Sequence, residues 1–100
     1  MKKKETKTIL IADDSPTMRS MLEDILKEAG YQCLSGEDGI EAVELAFEKQ
    51  PDLIISDIMM PRIDGYEFKA KVREKPDLVG VPFIFLTAKG GIEDIRKGKD

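Results

Sequence analysis

One hundred residues make room for one small domain and leave none for a second. An apolar fraction of 41% can supply a core, no apolar run approaches the ~18 residues of a membrane span, and no signal-peptide pattern opens the chain, so a soluble cytoplasmic domain is expected. Sixteen Lys and Arg against twenty Asp and Glu leave a net charge of −4, which excludes a basic footprint for nucleic acid from the body of the chain. The single cysteine, Cys33, and the absence of histidine exclude an internal disulfide, Ser-His-Asp and Cys-His chemistry, and His-ligated metals.

In chain order, residues 1–7 carry four lysines and nothing to bury, and read as a flexible tail ahead of a domain spanning 8–100. Thr8-Ile9-Leu10-Ile11-Ala12 is a continuous apolar run, rich in β-branched residues, that stops at two aspartates. It suits a strand covered on both faces, as in a parallel sheet. Asp14 or Ser15 then caps a helix with Pro16 in its first turn. Met18, Met21, Leu22, Ile25, Leu26 and Ala29 recur every three or four residues along it, and Gly30 supplies the stop. A shorter strand is expected over 31–35, and a helix over 37–50 with Ile40, Val43, Ala46 and Phe47 on one side.

Pro51 breaks that pattern, and Leu53-Ile54-Ile55-Ser56 forms another buried strand ending at Asp57. A turn over 60–65 leads into a helix over about 66–74, whose stripe is thin: Phe68 and Val72, with Lys69 where an apolar residue is expected. The fourth strand is expected over 81–86, with Pro82 confined to its entrance. Gly90-Gly91 interrupts, and one more helix is expected to begin over 92–97. Strands alternating with helices imply right-handed crossovers and a parallel sheet with helices on both faces, an α/β doubly wound architecture.

In such a sheet, ligands bind beyond the carboxyl ends of the strands. Three strands end there in reactive side chains: Asp13-Asp14, Asp57 and Thr87. Taken singly, each has a plainer role, as a helix cap, a turn residue or a strand former. Taken together at one edge, three carboxylates with no cation between them repel one another, and a hard divalent ion such as Mg²⁺ relieves this. Asp57 is then a candidate nucleophile toward phosphorus, and Thr87 a candidate hydrogen-bond donor to a phosphoryl oxygen.

Through Ile11-Ala12-Asp13-Asp14-Ser15, the run from Asp57 to Gly65 (Asp-x-x-Met-Pro-x-x-x-Gly) and Phe85-Leu86-Thr87-Ala88-Lys89, the chain resembles the receiver domain of two-component response regulators. The resemblance runs from about Thr8 to Gly98 and implies a flavodoxin-like sheet with strand order 2-1-3-4. It implies that Asp57 is the phosphoacceptor, charged by a histidine kinase, a phosphotransfer protein or a small phosphodonor. It further implies that Asp13, Asp14, Asp57 and the backbone carbonyl of Met59 surround Mg²⁺, that Thr87 is the switch hydroxyl, and that a downstream protein or output domain reads the result. No membrane or direct nucleic-acid partner is expected.

One departure stands out. Family members carry a lysine after a fifth strand, then a fifth helix, and Asp100 follows Thr87 too closely for both, which need about 20 residues. Lys89, two residues past Thr87, belongs to the loop and does not replace that lysine. The expectation is therefore a receiver lacking its fifth βα element, with the fourth strand an exposed edge that invites a dimer or domain swap. Two alternatives remain: a receiver-like interaction or assembly module that does not switch, and a carboxylate phosphatase. The phosphatase usually needs a second Asp where this chain has Met59.

Overall fold

The computed structural model describes residues 6–86. Thr87, Lys89 and the expected helix over 92–97 lie outside the described residues, as does most of the lysine-rich tail. The elements are β1 (Thr8–Ala12), α1 (Pro16–Glu28), β2 (Gln32–Gly36), α2 (Gly39–Lys49), β3 (Leu53–Asp57), α3 (Gly65–Arg73), a single 3₁₀ turn at Pro76–Leu78, and β4 (Phe83–Leu86). All strand pairs are parallel, in the order β2-β1-β3-β4. This is the doubly wound, flavodoxin-like sheet expected from the alternation.

Each helix start is set by a side chain. The Ser15 hydroxyl accepts the Met18 N–H, Asp38 accepts that of Glu41, and Asp64 forms a capping box with Glu67. The second helix accordingly begins at Gly39 instead of Glu37, whose own N–H is taken by the Glu41 carboxylate at 2.8 Å. It ends at Lys49 because Gln50 turns left-handed, with φ 50°. The fourth strand is two residues shorter than expected, since the Val81 N–H bonds back to Leu78 and Pro82 has none to give.

The sheet is covered unequally. On one face, Leu10, Ala12, Ile54, Ala42, Ala46, Phe68, Val72 and Leu78 form a core built with α2 and α3. On the other, Ile9, Ile11 and Ile55 pack under Leu22 and Leu26 of α1. The α2 face is rotated from the expected one: Ala42 and Ala46 are buried while Ile40 is exposed. Small residues suit that line, because they let the helix backbone approach the sheet closely. The α1 stripe is only half used, with Met21 48% and Ile25 58% exposed. Lys69, out of place in an apolar stripe, sets its ammonium 6.0 and 5.6 Å from the ring centres of Phe83 and Phe85.

Candidate functional site

Register and pleat bring the acidic residues together. β1 pairs with β3 so that Ala12 faces Ser56, which leaves Asp13 and Asp57 one step further on as lateral neighbours. Side chains alternate along a strand. Ile11 and Ile55 point to the α1 face and Ala12 and Ser56 to the other, so Asp13 and Asp57 return to the α1 side at the carboxyl edge. Asp14, the next residue, joins them from the loop. Carboxylate oxygens of Asp13, Asp14 and Asp57 all lie within 4.8 Å of one another. Thus the structure brings together three of the expected site residues.

Asp13 is the most enclosed, 4% exposed, while Asp14 faces solvent. The Asp13 N–H donates to the Gly36 carbonyl at 3.1 Å, and its carboxylate accepts the Ser15 N–H at 2.8 Å. Arg19, at the end of the first turn of α1, donates to the Asp13 carbonyl oxygen at 2.7 Å. Burial pushes the Asp57 carboxyl above its ordinary pKa, and the neighbouring Asp13 charge adds to this. The N–H groups of Met59 and Ile58 work the other way, and Asp14 raises it further. Asp13 is raised for the same leading reason, burial, with Asp14 contributing against the Ser15 N–H and Arg19. Two desolvated carboxylates thus face each other with no described cation close enough to cancel both charges.

The turn after Asp57 is tightly held. Gly65 donates to the Ile58 carbonyl at 2.7 Å, and a Cβ there would strike the Asp57 carbonyl oxygen and stand 3.0 Å from the Ile58 Cα. Gly39, at the start of α2, leaves no room for a Cβ against Ile63. Between them Arg62 takes φ 78°, its carboxyl neighbour Ile63 donates back to the Pro61 carbonyl at 3.0 Å, and its guanidinium pairs with Asp38 at 3.5 Å. Met59 sits in this turn with its side chain 72% exposed. Sequence reasoning did not single out Ser56, Arg19 or Asp38. A serine closing an apolar run and an arginine at helical spacing after the Asp pair were the signals available.

A profile of the response regulator receiver domain matches residues 9–100, and the chain belongs to that family. It is 38% identical over 92 residues to a probable transcriptional regulator, ycf29, of Pyropia yezoensis, covering 92% of this chain and 41% of that protein. With ycf27 of Guillardia theta the shared part is 35% of the relative, so the chain spans about two-fifths or less of the length of these curated regulators. Among solved structures, chemotaxis response regulator CheY4 of Vibrio cholerae superposes with a TM-score of 0.86 at 35% identity, over 95% of this chain and 79% of that one. The receiver domain of sensor histidine kinase PA1611 from Pseudomonas aeruginosa, determined with a magnesium ion in its active-site cleft, gives 0.83 at 32% identity, over 92% and 75%. No helix among the described residues is long and apolar enough to cross a membrane.

Proposed function

We propose that this chain is a cytoplasmic phosphorylation-switched signalling domain in which Asp57 accepts a phosphoryl group. The observation that carries the reading is the convergence of Asp13, Asp14 and Asp57 within 4.8 Å. An Asp57 oxygen attacks phosphorus, the bond from phosphorus to the donor's leaving group breaks, and that group departs with the electron pair. The donor is a phosphohistidine protein or a small acyl phosphate. Burial and the neighbouring Asp13 charge raise the Asp57 carboxyl above its ordinary pKa, which favours holding a cation beside it, and the Ile58 and Met59 N–H groups orient it.

The donor set consists of hard oxygens alone, which suits Mg²⁺ over softer metals. Asp13, Asp14, Asp57 and the Met59 carbonyl would hold it, and the magnesium ion in the cleft of the PA1611 receiver supports this choice. When bound, Mg²⁺ neutralises charge on the oxygens of the transferring group. Thr87 follows Leu86, the strand partner of Asp57, and is the switch hydroxyl in this reading. The partners are a histidine kinase or phosphotransfer protein, a downstream protein or output domain, and a second copy of the chain along β4.

The test is incubation of the full chain with acetyl phosphate, or with beryllofluoride, and Mg²⁺. A Mg²⁺-dependent response that Asp57→Ala abolishes supports the reading. Silence from a chain shown to be folded would favour a receiver-like interaction module.

A further inference from the structure

Ser56 is buried completely, on the face of the sheet that the apolar cluster of α2 and α3 covers, next to the residue that carries the chemistry. A hydroxyl in such a place costs free energy unless it is hydrogen-bonded, and alanine would fill the strand without that cost. The hydroxyl donates to the main-chain carbonyl oxygen of Asp57 at 2.8 Å. Gly65 closes over the same oxygen and ties down the next carbonyl, that of Ile58, at 2.7 Å. The Asp57 carbonyl is therefore held toward the α3 side of the sheet by the Ser56 hydroxyl, with the Gly65 backbone close against it.

A trans peptide is planar, with its C=O and N–H pointing in opposite directions. Holding the Asp57 carbonyl toward α3 consequently aims the Ile58 N–H toward the α1 side, where the Asp57 and Asp13 carboxylates lie. The Ile58 and Met59 N–H groups do face the Asp57 carboxylate. Such fixed donors act on charge that develops at the reacting group, without reorganising at the moment of reaction.

We propose that Ser56 is a positioning residue: its hydroxyl sets the plane of the Asp57–Ile58 peptide, so that the Ile58 N–H is presented to the Asp57 carboxylate and to the oxygens of the group it accepts. The inference rests on the reading of Asp57 as acceptor. It makes Ser56 distinct from the metal-holding carboxylates, because removing its hydroxyl takes nothing from them.

The experiment compares the 100-residue chain with its Ser56→Ala and Ser56→Thr variants, each first shown to melt cooperatively. Beryllofluoride affinity is measured with saturating Mg²⁺, and the Ile58 amide is followed in ¹H–¹⁵N spectra. Ser56→Ala should bind beryllofluoride about tenfold more weakly, a loss on the scale of one hydrogen bond to a charged group, and its Ile58 amide resonance should move. Mg²⁺ affinity should stay within about twofold, and Ser56→Thr, which keeps the hydroxyl, should restore both readouts. A moved amide with unchanged affinity, or a lost affinity with an unmoved amide, overturns the positioning role. Failure of the wild-type chain itself to bind beryllofluoride would overturn the acceptor reading and this inference with it, and that outcome is separate from a failure in Ser56→Ala alone.

Discussion

At the scale of the residue, the acidic pocket is a place where local stability is given up. Asp13 and Asp57 both have raised pKa values, so the folded chain holds their protons more tightly than the unfolded one. Stability contributed by these groups is present at low pH and falls as pH climbs from their ordinary value of 3.8 through the raised values. Replacing Asp57 with Asn removes one charge and relieves the other. In divalent-free buffer at pH 7, Asp57→Asn should melt above the wild-type chain. The gap should close below pH 3.8, where the wild-type carboxyls are protonated. Gly65 carries the opposite sensitivity: in Gly65→Ala the new methyl meets the Asp57 carbonyl and the Phe85 ring edge at 3.1 Å. A loss of about 1–3 kcal/mol in denaturant unfolding is expected. The place of Asp57 at the carboxyl edge of the sheet could be read from its position after an apolar run. The part played by Ser56 could not, because its hydroxyl matters through a carbonyl whose direction depends on how Gly65 closes over it.

At the scale of the element, helices that look alike in sequence differ in use. Phe68 and Val72 of α3 are fully buried, and the Phe68 ring meets Phe83 edge-on at 5.2 Å between centres. Phe68→Ala should therefore cost about 3–5 kcal/mol in chemical denaturation. Ile25→Ala, in the cleaner α1 stripe, should cost less than about 1 kcal/mol, because that side chain is 58% exposed. The regular spacing of α1 reveals a helix and one apolar side, but not how much of that side the sheet covers. Leu78 shows the converse: it belongs to no periodic run, yet the 3₁₀ turn drives it into the core at 1% exposure.

At the scale of the whole molecule, two helices cover one face of the sheet and α1 alone covers the other among the described residues. Among those residues β4 pairs only with β3, and Ile84 is 48% exposed on the less covered face. Association through this edge should appear as a concentration-dependent increase in sedimentation coefficient, and Ile84→Lys should suppress it. A monomer across the micromolar range would count against it. The pocket is tied to global stability as well. Mg²⁺ at one hundred times its dissociation constant should stabilise the wild-type chain by about 2.7 kcal/mol, an increase in melting temperature that EDTA reverses and Asp57→Asn diminishes.

The sequence by itself determined the alternation of strands and helices, the parallel sheet and the identity of the acidic residues at strand ends, because periodicity, caps and breakers act over a few neighbouring residues. Only the tertiary structure decided that Ala12 lies opposite Ser56, and hence that Asp13 and Asp57 share one pocket on one side of the sheet. It also decided that Lys69 rests over Phe83 and Phe85, and that the Ser56 hydroxyl donates to the main-chain carbonyl of Asp57. Register joins residues 44 positions apart in the chain, as in the Thr8–Asp52 hydrogen bond beside the same pairing. A one-residue slip would turn the β3 side chains to the opposite face, and only the packing of both faces together selects against it.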